Sequence, residues 1–306
     1  MKPNPLLHSV AAVLLFSGTL PAQDTAAPPK SQREHDTELT QISVIDKLLA
    51  IEAALGGRMK RRSEEDWTKD YEALYQQFMR NGQLSALPGG GSNEVINALA
   101  LGIKSSDAVV ALKARNVEAL NLSAEQIEQL ALKLGATKKE LGMAETVKRY
   151  ANAGRWLDAF LALGFLQRSV LNHLKLNPEK KDQAVLVIVG GWLQGGRCVT
   201  HVISQNYTAE VSNILREPRL VELIKKNMDE LAPTYLNDPL VMKISNLLPD
   251  IKKRVSVGFH EPVKEEDVKW LHETFGGLVT EITPKGVEKI SAAAGEKKKE
   301  IPAEKK

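Results

Sequence analysis

Apolar residues recur at spacings of three and four along almost the whole chain, and few other patterns compete with them. Ile42, Ile45, Leu48, Leu49 and Leu55 form one stripe. Trp67, Tyr71, Leu74, Tyr75 and Phe78 form a second, ended by Asn81 and Gly82. Trp156, Phe160, Leu163, Val170 and Leu174 make a third, and Leu271, Phe275, Leu278 and Ile282 a fourth. Side chains so spaced fall on one side of a 3.6-residue helix, and each such side needs something to bury it. Start and stop signals sit between the stripes. Ser123 with Gln126, and Thr137 with Glu140, match the capping box, in which a hydroxyl and an amide or acid satisfy each other's free amide groups. Pro178, Pro218, Pro239 and Pro262 each follow an Asn, Asp or Glu, which predicts a proline in the first helical turn, where its missing donor does no harm. Gly135 and Gly154 stand where helices should stop. Only residues 255–259 read as a strand, and one strand makes no sheet. No period of repeat-protein length recurs. The pattern predicts an all-α fold, a compact multi-helix bundle of about nine or ten helices with no regular repeat.

The two ends read differently from the middle. Residues 1–22 have the form of a secretory signal peptide: Lys2, an apolar stretch over 6–20 broken by His8, Ser9 and Ser17, and a cut after Ala22 that would release Gln23. The stretch is shorter than the ~20 apolar residues of a spanning helix; an uncleaved anchor is the rival reading. No cysteine lies nearby to carry a lipid. Residues 23–34 are then a disordered linker, 35–86 an N-terminal helical hairpin, 92–284 the main helical domain, and 285–306 a lysine-rich tail, disordered or frayed. The glycine-rich break at 87–92 separates hairpin from domain. The address this implies is periplasmic or secreted.

Charge and cysteine content exclude some partners. The net charge is +3, but its location matters more than its size. Lys2 is the only charge of residues 1–22, and 285–306 hold seven lysines against four glutamates, which leaves 33 basic and 34 acidic side chains for 23–284. A nucleic-acid binder carries its basic surplus on the folded domain, so this class is not expected. Arg58, Lys60, Arg61 and Arg62 form a basic loop suited to weak contact with an anionic surface; Glu64, Glu65 and Asp66 follow at once and offset it. Cys198 is the only cysteine, so no internal disulfide forms and packing alone stabilises the fold. The apolar run 184–192 is too short to span a bilayer, and no transmembrane helix is expected in the mature chain.

Two helices stand out as places where chemistry is concentrated. The first, over 93–115, is apolar on nearly every side yet holds Lys104 and Asp107, three residues apart and therefore neighbours. Either they pair, with each other or with a neighbouring helix, or they form a polar site inside the bundle. The second, over 182–205, carries Gly190, Gly191, Gly195 and Gly196. A helical glycine costs about 1 kcal/mol relative to alanine, so four need a compensating contact. Gly191 and Gly195 stack on one face with Gly190 and Gly196 beside them. That predicts a groove for close packing, with the helix of Gly102, Lys104 and Asp107 as the expected partner, or for a ligand. Arg197, Cys198 and His201 follow. A nucleophilic cysteine needs a lowered pKa and an oriented base, and no third group accompanies Cys198 and His201. His260–Glu261 and His272–Glu273 lack metal-site spacing, so no metal is expected. No phosphate loop, dinucleotide fingerprint or nucleophile elbow occurs, and no cofactor is expected. The preferred reading is an exported, non-catalytic helical protein that binds an unknown protein or small molecule. The alternatives are an enzyme or redox-sensitive protein centred on Cys198 and His201, and a structural envelope protein tethered by its tail.

Overall fold

A computed structural model describes residues 93–283, apart from residues 140, 206, 259 and 260. The signal peptide, linker, hairpin, the basic loop of Arg58, Lys60, Arg61 and Arg62, and the lysine-rich tail lie outside the described residues. Among the described residues every regular element is helical, and the all-α reading holds. Eight helices have ten or more residues: α1 Glu94–Lys113, α2 Val117–Lys133, α3 Met143–Asn152, α4 Trp156–Leu176, α5 Lys181–Gln205, α6 Pro218–Asp229, α7 Pro239–Val255 and α8 Glu265–Ile282. Short turns of helix at Ala209–Ser212, Asn213–Leu215 and Pro233–Leu236 link them. Residues 255–258 form no strand: Val255 ends α7 and the chain is irregular beyond it.

α1 sits at the centre. It is long and apolar enough to cross a membrane, but 89% of that stretch is buried inside the protein, as expected for a helix apolar on all sides. α5 packs along it in the same direction, since Glu94 meets Gln183, Leu99 meets Gly190 and Asp107 meets Gln194. α8 packs on the far side of α5 in the opposite direction: Phe275 lies against Trp192 and Gly196, while His272 lies beside Thr200 and His201. The stripe Leu271, Phe275, Leu278 and Ile282 is buried along its whole length. On α4, Leu163, Val170 and Leu174 are buried and Trp156 and Phe160 half-buried against the core.

Helix boundaries depart from the sequence signals at instructive places. Ser123 is no cap; it is buried in the middle of α2. Asn116 starts that helix, accepting from Ala119 N at 2.9 Å, because Arg115, at φ 48°, turns the chain sharply there. Thr137 precedes α3 by a turn, and α3 begins at Met143 without a side-chain cap. Pro218 and Pro239 do open helices, and Asp238 Oδ1 accepts from Leu240 N and Val241 N. Pro178 lies in the turn before α5, and Pro262 three residues before α8. Gly135 and Gly154 take positive φ, 86° and 66°, after α2 and α3, where a side chain would be strained.

Candidate functional site

The interior of α1 is polar at one point. Lys104 is 1% exposed and Asp107 fully buried. Lys104 Nζ donates to Asp107 Oδ2 at 3.1 Å, and Gln194 Nε2 of α5 donates to Asp107 Oδ1 at 2.6 Å. Both carboxylate oxygens therefore accept from buried donors, which a buried charge requires. Ser106 Oγ contacts Gly102 O at 3.3 Å and donates to Gly191 O at 3.1 Å. Of the sequence candidates, Lys104 and Asp107 meet each other here. Gln194, which the sequence reading passed over, joins them; its signal was position, one turn from Gly190 and Gly191 on the same face.

The glycines serve two contacts rather than one groove. A Cβ on Gly190 would stand 2.0 Å from Leu99 O, and one on Gly102 1.9 Å from Val187 O. Those two glycines let the backbones of α1 and α5 touch. At Gly191 the nearest atoms, Gly102 O and Ser106 Oγ, lie at ordinary distances of 3.5 and 3.6 Å. Gly196 faces the other way, where a Cβ would meet the Phe275 ring of α8 at 2.7 Å. Gly195 is buried on α5. The expected partner helix is the observed one, but the tightest approach is at Gly190 rather than at Gly191 and Gly195.

Cys198 is buried. Burial pushes its thiol pKa well above the ordinary value, and the Asp107 carboxylate acts in the same direction. That is the environment of an inert thiol, opposite to what a nucleophile needs. His201 stands across the α5–α8 seam from His272, with ring centroids 5.3 Å apart. Its pKa is lowered by burial, then by His272 and Arg197. His272 is lowered by burial, opposed first by a hydrogen bond to the Arg197 backbone and then by Glu273, while the Arg197 charge adds to the lowering. Thr200 Oγ1 lies 3.4 Å from His272 Nδ1. The structure thus pairs His201 with a histidine on another helix, and the sequence showed no sign of that pairing. Among the described residues no three His, Cys, Asp or Glu side chains group as metal ligands.

A crevice between Trp192, Leu220, Val221, Ile251 and Phe275 offers about 20 Å³, enough for a water but far below a small-molecule pocket. The outer surface of α4 offers more. Leu157, Leu161, Gly164, Phe165, Arg168 and Leu176 share one helical face. Leu157 is 49%, Phe165 59% and Leu176 83% exposed, and a Cβ on Gly164 would meet nothing within 4 Å. Exposed Leu157, Phe165 and Leu176, with half-buried Leu161 and Gly164 between them, form an apolar stripe on a helix whose opposite face is core.

No family model matches the chain, and no curated protein or solved structure is similar to it. Fold and site define its class as an all-α protein of packed helices, and the reading of its function rests on the residues above.

Proposed function

We propose that the protein is exported to the periplasm or secreted and acts without catalysis, by binding another protein through the outer face of α4. The observation that carries this reading is the apolar stripe of exposed Leu157, Phe165 and Leu176, with half-buried Leu161 between them. Large apolar side chains aligned on one helix face mark an interaction surface more than single exposed ones do. The occupant that fits is an amphipathic helix with carboxylates along its apolar face. Gly164 leaves space for close approach, while Arg168 and Lys175 lie on the same face. In the interior, Lys104, Asp107 and Gln194 bond one another, which suits a structural role for that cluster. The buried, hard-to-ionise Cys198 speaks against the alternative of an enzyme centred on Cys198 and His201.

A synthetic amphipathic peptide with a leucine and aromatic stripe bordered by glutamates tests the binding face. It should bind the mature protein saturably, and Phe165→Asp or Arg168→Glu should each weaken it on the order of tenfold, as for a hot-spot contact. Equal binding by both variants would overturn the reading. Export is tested separately by N-terminal sequencing, with Gln23 expected first; intact Met1 on membrane-bound material would reject it.

A further inference from the structure

Independently of the outer face of α4, we propose that the seam between α5 and α8 is a gate worked by acid: protons taken up by His201 and His272 part the two helices there and widen the crevice beside them into a site for an uncharged, apolar ligand. The two rings face each other across the seam with centroids 5.3 Å apart. Three residues after His272 and five before His201, the same seam is apolar. A Cβ on Gly196 would stand 2.7 Å from the Phe275 ring, and Phe275 meets Trp192 edge-on with centroids 5.1 Å apart. Trp192, Gly196 and Phe275 line the crevice together with Leu271, the chain neighbour of His272. A shift at the histidines is therefore carried to the crevice by stiff helix on both sides. The charged groups beside the pair are Arg197 of α5 and Glu273 of α8, while Asp107 of α1 lies near Cys198 and pairs with Lys104. Two imidazolium rings beside Arg197 would set three cations against the Glu273 carboxylate in a largely enclosed seam, where water screens repulsion poorly. Neutral rings avoid this, and burial favours them. Leu278, Val279 and Ile282 are buried at the far end of α8. Repulsion at His272 then tilts α8 about that end and lifts Leu271 and Phe275 from Trp192 and Gly196. The lining is apolar apart from Glu217, a carboxylate that would repel an anion, so the widened site suits an uncharged molecule.

The test uses the full chain and N-phenyl-1-naphthylamine, a neutral apolar dye that brightens out of water, at about pH 7.5 and about pH 5, on either side of the histidine range and above the carboxylates. The dye should bind about tenfold more tightly at the lower pH. Amide exchange over residues 265–275, corrected for its intrinsic pH dependence, should speed up about tenfold while exchange in α1 stays unchanged. His201→Gln with His272→Gln should make both measurements equal at the two pH values. Leu220→Trp, which fills the crevice, should exclude the dye and keep the exchange response. Dye affinity that ignores pH, exchange that rises equally in α1 and α8, or a response that survives in the double histidine variant overturns the proposal. Should that variant fail to fold, proton titration of the two rings followed by nuclear magnetic resonance in the unaltered protein decides. Opening that follows their protonation supports the gate, and opening centred outside it overturns the gate.

Discussion

Gly190 and Gly164 occupy the interiors of two long helices, and a methyl group added to each meets opposite surroundings. At Gly190 it would press into the Leu99 carbonyl at 2.0 Å, a backbone atom that cannot swing aside. Gly190→Ala should therefore destabilise the protein by about 3 kcal/mol or more, at the upper end of overpacking. At Gly164 the methyl meets nothing within 4 Å, and Gly164→Ala should gain up to about 1 kcal/mol from helix propensity. Urea denaturation of the two variants checks both signs. The Lys104–Asp107 pair makes a second residue-scale test. Lys104→Met leaves a carboxylate at zero exposure without the Lys104 ammonium and should cost about 3–5 kcal/mol, whereas Lys104→Met with Asp107→Leu should recover much of that loss, because a buried pair offsets little more than its own desolvation. A double-mutant cycle measures the difference.

Between elements, the seam of α5 and α8 is the pH-sensitive one. His201 and His272 face each other with Arg197 and Glu273 as the charged groups beside them. Both histidines have folded pKa values below the ordinary value of about 6.5. Protons therefore bind the unfolded chain first as the pH falls. The stability from keeping these rings neutral is complete above about 6.5 and is lost as the pH drops through the lower folded values. Melting temperature should decline from about pH 6.5 downward, ahead of the carboxylates, which titrate near 4. His201→Gln with His272→Gln should flatten that slope. A slope unchanged in the double variant would mean that other groups set the acid sensitivity.

For the whole molecule, Cys198 reports how cooperatively these helices come apart. Its sulfur is enclosed on the central helix α5, near Asp107 of α1, so local fraying of α3, α6 or α7 leaves it covered. Modification by a thiol reagent under native conditions should proceed at the rate set by global opening, and its free energy should match that from denaturant unfolding. Fast labelling of the folded protein would show that α1 and α5 separate on their own, and would restore the case for a reactive cysteine. The same two helices set the location of the other features: α8 packs on α5, and α4 joins α1 through Gln167 Nε2 donating to Ser105 O at 3.0 Å, which leaves the far side of α4 outward.

Much of the helical content was legible because helix formation is local. The stripes on α4 and α8, the prolines that open α6 and α7, and the stops at Gly135 and Gly154 depend on spacings of a few residues that any reader of the chain can count. Where local signals competed, counting failed: Ser123 looks like a cap, but Asn116 and the turn at Arg115 claim the start of α2 and draw Ser123 into the interior. The pairing of Lys104 with Asp107 was likewise within reach, since both lie on one helix. Only tertiary structure decided the rest. Which glycine touches which carbonyl depends on the rotation of α5 against α1, a quantity the spacing of four glycines leaves open; Gly190 and Gly196 consequently serve different neighbours. His201 meets His272 from 71 positions away in the chain, and Phe165 is left outside while Leu163 and Leu166 on the same helix are buried. Periodicity determines that a helix has an apolar side. Which part of that side is covered depends on the shapes and positions of all its neighbours together, and those come into being only when the chain packs.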